Sequence, residues 1–181
     1  MIILASKSPR RKQLLEMAEI PFEVITKETD EGFPNTMKLD DVPIFIARNK
    51  ALAIQSDYPE RVILAADTVV VLNNEIIGKP QDREDAFRIL KKLSAQTHRV
   101  ITGVVIYFPD RELAFSDSTE VRFHALSDQQ IHHYLDHYKP YDKAGAYAIQ
   151  EWIGAVGIAS IQGCFYNVMG LPISKVVQAL V

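Results

Sequence analysis

Apolar residues along the chain fall in short clusters whose spacing keeps changing, and the changes predict alternating strands and helices. Ile2 to Ala5 is a brief apolar run of strand type. Ser8 then supplies a helix N-cap and Pro9 a first helical residue, for a helix reaching about Glu19. Phe22 to Thr26 alternates as a strand does, and Lys27 to Lys38 is acidic and rich in turn formers. A second helix is expected from about Asp41 to Asp57, with Pro43 in its first turn. Arg61 to Leu72 is β-branched and apolar, as in a buried strand pair broken near Asp67, and Asn73-Asn74 can turn the chain back into Glu75 to Gly78.

Asp82 can cap a helix to about Ala95, in which Ala86, Ile89, Leu90 and Leu93 recur at helical spacing. Strands follow over Arg99 to Phe108 and Glu112 to Ala125, joined by Pro109-Asp110-Arg111. Ser127 with Gln130 forms a capping box for a helix ending near Tyr138. Ile158 to Ile161 and Phe165 to Met169 read as strands around Gln162-Gly163, and Pro172 opens a terminal helix. Hairpins mixed with helical crossovers predict an α/β fold with a mixed sheet rather than a doubly wound parallel one.

A length of 181 residues suits one domain, drawn out at most into two lobes. With 48% apolar and 24% charged residues, the composition excludes a disordered or low-complexity chain. The net charge of −3 provides no general attraction to nucleic acid or anionic lipid, so a polyanion must be held by a local basic cluster. The single cysteine, Cys164, and a start without signal-peptide features suggest a reducing, cytoplasmic setting. The longest apolar stretch, Val62 to Leu72, contains Asp67 and is too short to span a bilayer.

Three constellations could carry chemistry. Ser6 to Arg11 (SKSPRR) lies where a strand enters a helix, so backbone N–H groups, hydroxyls and guanidinium groups can cradle a phosphate; the alternative is a solvated helix start. Asp67 sits within an apolar run, where an unpaired charge would cost several kcal/mol, so a cation, a metal or a hydrogen-bond network must accompany it; a structural turn cap is the plainer reading. Lys50, Lys79 and Lys143 stand beside turn residues and, with Glu31, would supply cations for phosphate and carboxylates for a divalent metal. Each alone reads equally as a surface lysine. His133 and His137 are one helical turn apart but fit a solvated helix face better than a metal site, and Cys164 reads as a packed small residue. Gly-rich nucleotide loops, the G-x-S-x-G elbow and the D-x-D phosphatase pair are absent from the sequence.

Taken in order, SKSPRR, ARNKA, AADTVV, GKP, LSAQTHRVITGV, DKAGAYAIQ and GLP resemble the Maf family of nucleoside triphosphate pyrophosphatases over nearly the whole chain. DKAGAYAIQ looks like the branch acting on dTTP and UTP. The resemblance implies a single Maf-like domain over residues 1–181, of elongated Maf/Ham1-like (ITPase-like) fold, with a mixed twisted sheet, flanking helices, two lobes and a central cleft, often as a homodimer. It implies Asp67 as catalytic base, with Glu31 assisting the metal or the water, and a Mg²⁺ or Mn²⁺ held by both. It assigns phosphate handling to Ser8, Arg10, Arg11, Lys50 and Lys79, and substrate choice to Arg10, Thr68 and Gln150. Lys7, Ala148 and Glu151 depart from the family pattern, Glu151 standing where glycine is usual. The expected activity is hydrolysis of a nucleoside triphosphate to monophosphate and pyrophosphate, with neither membrane nor stable nucleic-acid partner. A regulator of septum formation that acts by binding is the alternative.

Overall fold

The computed structural model describes all of residues 1–181. Seven strands and seven α-helices follow one another: β1 (Ile2–Leu4), α1 (Pro9–Met17), β2 (Phe22–Val24), α2 (Val42–Gln55), β3 (Ile63–Leu72), β4 (Glu75–Ile77), α3 (Arg83–Leu93), β5 (Thr97–Tyr107), β6 (Glu112–Phe123), α4 (Asp128–Tyr138), α5 (Trp152–Gly157), β7 (Ile158–Gln162), α6 (Phe165–Met169) and α7 (Ile173–Leu180). The sheet runs β2-β1-β3-β5-β6-β7, with β4 added to β3. β1 is parallel to both β2 and β3, while β4 and β7 are antiparallel to their partners, so the sheet is mixed as expected. No helix is long and apolar enough to cross a membrane.

The chain divides into two compact units, one comprising Met1–Thr68, Thr102–Asp117 and Gly170–Val181, the other Val69–Ile101 and Ser118–Met169. In the first unit, Ala47, Ala51 and Ile54 of α2 pack onto Ile3, Ile63, Ala65 and Val105. The small side chains let helix and sheet approach closely. Gly103 in β5 brings them closer still: a Cβ there would lie 2.2 Å from the Ile44 nitrogen, so the start of α2 rests on bare backbone. That contact sets where Lys50, two turns further along α2, can reach.

In the second unit α3 lies against α4. Asp82 caps α3 by accepting the Asp85 N–H, and Ala86, Leu90 and Leu93 are buried. The capping box Ser127–Gln130 starts α4, which buries Ile131, Tyr134 and Leu135. Asn73 and Asn74, at φ 51° and 62°, make the tight turn between β3 and β4 that their side chains favour. His98, Phe123 and Tyr147 form a buried aromatic cluster with ring centroids 5.1 to 5.5 Å apart.

Two expectations are corrected. β3 is a single strand, unbroken at Asp67, because the carboxylate finds a cation without leaving the strand. Residues 165–169 are helical rather than extended. The Thr119 hydroxyl bonds both the N–H and the C=O of Cys164, and the buried Asn167 amide donates to Val100 O and Thr119 Oγ1. These tertiary bonds fix a tight turn against the strand preference of Phe165 and Val168. α5 was missing from the pattern because its glycines mask a helix. Gly154 is there for close packing, since a Cβ would fall 1.7 Å from the Ile149 oxygen.

Candidate active site

Asp67 and Thr68 occupy the middle of β3, between the stretch paired with β1 (Ile63, Leu64) and the stretch paired with β4 (Val70 to Leu72). They are the half-buried residues of an otherwise buried strand. Lys50 meets Asp67 with its Nζ 2.8 Å from Oδ1, and the same ammonium lies 2.8 Å from Glu31 Oε1. Lys50 and Asp67 side chains are only 18% and 15% exposed, whereas Glu31 is 54% exposed. Glu31 is carried by a loop turned by Asp30, which accepts the Gly32 N–H at 2.8 Å. One cation thus joins two acids that are remote in sequence.

Ser8 is the N-cap of α1 and Pro9 its first residue, as the pattern predicts, but the Ser8 side chain makes no capping bond. Its N–H is instead received by Ser6 Oγ at 3.2 Å. Arg11 is buried, and its guanidinium donates to Gly170 O at 2.8 Å, Ser6 Oγ at 3.2 Å and Thr68 Oγ1 at 3.1 Å. Burial lowers its pKa, the Asp67 charge opposes that shift, and the Arg10 charge adds to it. Gly170, at φ 122°, takes a backbone conformation closed to other residues, which aims its carbonyl at Arg11. Thr68 Oγ1 also lies 2.9 Å from Thr102 Oγ1. Arg11 therefore braces the middle of β3, the SKSPRR turn and the chain before Pro172 together. Ser6 belongs to the SKSPRR constellation, whereas Thr102 and Gly170 stand in motifs of the resemblance, LSAQTHRVITGV and GLP, without an assigned role there.

Lys79, Lys143 and Gln150 belong to the second unit. Lys79 and Gln150 are exposed. Gly78, next to Lys79, accepts the Gly145 N–H at 3.2 Å, so the DKAG turn supports the strand end that carries this lysine. Lys143 is largely buried between Asp142 Oδ1 at 3.0 Å and Glu151 Oε1 at 3.6 Å. The structure thus groups Ser8, Arg10, Arg11, Glu31, Lys50, Asp67 and Thr68 within one unit, and Lys79 and Gln150 within the other. His133 and His137 stack on an exposed face of α4, 4.2 Å between centroids, and no cluster of three or more His, Cys, Asp or Glu side chains suits a metal ion.

Within the first unit the arrangement offers a carboxylate able to take a proton, a second carboxylate beside it, and cations for a polyanion. Sequence comparison gives the same direction. A protein from Cytophaga hutchinsonii named dTTP/UTP pyrophosphatase is 50% identical over 179 residues, which cover 99% of this chain and 82% of that protein. Proteins of the same name from Parabacteroides distasonis and Flavobacterium psychrophilum are 46% and 48% identical, over 99% and 97% of this chain and 94% and 90% of theirs. The structure of the Staphylococcus aureus Ham1 protein aligns with a TM-score of 0.46 at 15% identity, over 67% of this chain and 71% of that one. The family described as Maf-like protein matches residues 1–181 in full, and the chain belongs to it.

Proposed function

We propose that this chain is a nucleoside triphosphate pyrophosphatase that hydrolyses dTTP and UTP to the monophosphate and pyrophosphate by attack of water on the α-phosphorus. The observation carrying this reading is the Glu31–Lys50–Asp67 group, with both acids 2.8 Å from one ammonium. The substrates are those in the names of the similar proteins.

In this reading Asp67 takes the proton of the attacking water. β3 holds its backbone rigid and Lys50 holds one of its oxygens, so the base is placed before substrate arrives. Lys50 and Arg10 supply positive charge to phosphate oxygens, where charge accumulates on the leaving pyrophosphate. Arg11 acts through what it braces, keeping Thr68 and the Ser6 to Ser8 turn in place. The Gln150 carboxamide, with a donor and an acceptor end, can match the N–H and C=O edge of uracil or thymine.

Glu31 and Asp67 fit a divalent cation of the Mg²⁺ class, which commonly takes one or two carboxylates and completes its shell with water and substrate phosphate. Bound there, Mg²⁺ or Mn²⁺ would offset triphosphate charge and acidify water. The same reading places the enzyme in the cytoplasm, supported by a lone cysteine that forms no disulfide.

The test is incubation with dTTP, UTP, CTP and GTP in the presence of Mg²⁺, following pyrophosphate and orthophosphate separately. Pyrophosphate from dTTP and UTP is expected. Orthophosphate alone would indicate a phosphatase, and no release from any of the four would reject the reading.

A further inference from the structure

The segment from Lys143 to Gln150 follows a path that its residues do not choose unaided. Gly145 and Ala146 both lie in the left-handed region, at φ 71° and 58°. For Ala146 that conformation is unfavourable, so contacts from elsewhere hold it. A Cβ on Gly145 would press to 3.0 Å on Val70 Cγ2, which leaves glycine as the residue that fits there.

The contacts converge on Tyr134, a fully buried residue of α4. Its hydroxyl accepts the Ala148 N–H at 3.1 Å and donates to Glu151 Oε2 at 2.5 Å. The other Glu151 oxygen lies 3.6 Å from the Lys143 ammonium, at the opposite end of the segment. Gln150 stands between the two tethered positions, and its side chain is exposed. Its backbone is therefore held on both sides while its carboxamide is left open. Burial pushes the Tyr134 phenol far above its ordinary range, so the hydroxyl remains a donor throughout any working pH.

Orientation is the point at issue for a carboxamide. Held one way, its donor and acceptor ends select the N–H and C=O edge of uracil or thymine. Free to turn over, they suit cytosine as well. We propose that Tyr134 and Glu151 are positioning residues for nucleobase recognition, clamping Ala148 and Glu151 so that Gln150 presents one orientation to the base. This rests on the pyrimidine triphosphate reading above and adds the device that makes Gln150 selective.

Tyr134→Phe keeps the ring and removes the hydroxyl, Glu151→Ala removes the carboxylate, and Glu151→Gln retains an acceptor for Tyr134. Steady-state kinetics with UTP and CTP, together with amide hydrogen exchange without nucleotide, read the outcome. In Tyr134→Phe and Glu151→Ala the UTP-to-CTP ratio of kcat/KM should fall about tenfold, mainly through the UTP KM, with the UTP kcat within about twofold of wild type. Glu151→Gln should stay within about threefold of wild type. The Ala148 amide should exchange faster in the two disruptive variants. Folded variants with an unchanged ratio would overturn the proposal and leave a purely structural bond. Should Tyr134→Phe fail to fold, the contrast between Glu151→Ala and Glu151→Gln decides the same question. A wild-type protein inert toward UTP would sink the functional reading itself. The clamp would then stand or fall on exchange alone, with unchanged Ala148 protection in Tyr134→Phe counting against it.

Discussion

Asp67 Oδ1 lies 2.8 Å from the Lys50 ammonium, which reaches Glu31 Oε1 over the same distance. A carboxylate on a strand and one on a loop are held by a single side chain from a helix. Asp67→Asn keeps the shape and an oxygen for Lys50 but cannot take up a proton from water. Turnover of UTP should fall about 10²–10⁴-fold, the span that a positioned general base contributes. With Mg²⁺ in large excess, affinity for a non-hydrolysable UTP analogue, measured by calorimetry, should move by less than about threefold. Near wild-type kcat in this variant would remove Asp67 from the mechanism.

Glu31 is the more exposed of the two acids, and its loop places it on Lys50 rather than in a closed cage. A cation held by it should exchange readily. Chelation with EDTA is expected to stop turnover, and added Mg²⁺ or Mn²⁺ to restore it. Glu31→Gln should raise the metal concentration needed for half-maximal rate by about tenfold, since one anionic donor is lost. Full activity in EDTA would show that the acids serve without a metal.

Arg11 spends its guanidinium on Gly170, Ser6 and Thr68. Lysine cannot reproduce that fork, so Arg11→Lys leaves buried acceptors without donors. Urea unfolding should show a loss of about 3 kcal/mol, within the range for removing charged hydrogen bonds. kcat/KM should drop at the same time in protein that is still folded. An unmoved unfolding midpoint would show that the three bonds contribute nothing to the fold.

Much of this arrangement is legible in the sequence because it is local. The caps at Asp82 and Ser127, the Asn73-Asn74 turn and the Pro9 helix start each depend on a few adjacent residues, and each appears where the pattern puts it. What is not local was misread. A charge inside an apolar run suggested a broken strand, because the cation that accommodates Asp67 comes from α2, whose docking depends on bare backbone at Gly103. Residues 165–169 carry strand-like side chains, yet bonds from Thr119 and Asn167 decide their conformation. Arg11, placed in SKSPRR by local sequence, bonds to Thr68 and Gly170, which are far away along the chain, so those bonds are not legible from its own neighbourhood.

His98 yields a prediction independent of catalysis. It is 1% exposed, and burial lowers its pKa from 6.5 to about 4. Its Nε2 lies 2.6 Å from the Tyr147 hydroxyl, and its Nδ1 has no hydrogen-bond partner. Burial raises the Tyr147 phenol well above its ordinary range, so it stays neutral beside the ring. Protonating the ring would leave a buried charge with no carboxylate beside it. Between the two pKa values the unfolded chain holds more protons than the folded one, so stability is full above about pH 6.5 and declines toward pH 4. The shift corresponds to about 3 kcal/mol, most of it lost by about pH 4.5. Carboxylates held low by their partners, such as Asp57 and Asp128 from 3.8 and Glu75 and Glu112 from 4.5, begin to release their contributions about one unit above those values. The interval from about pH 6.5 down to 5.5 therefore belongs mainly to the histidine. His98→Gln keeps an acceptor for Tyr147 but cannot be protonated in this range. Its urea midpoint should be nearly flat across that interval while the wild-type midpoint falls, and parallel curves for the two proteins would show that His98 is not the titrating group.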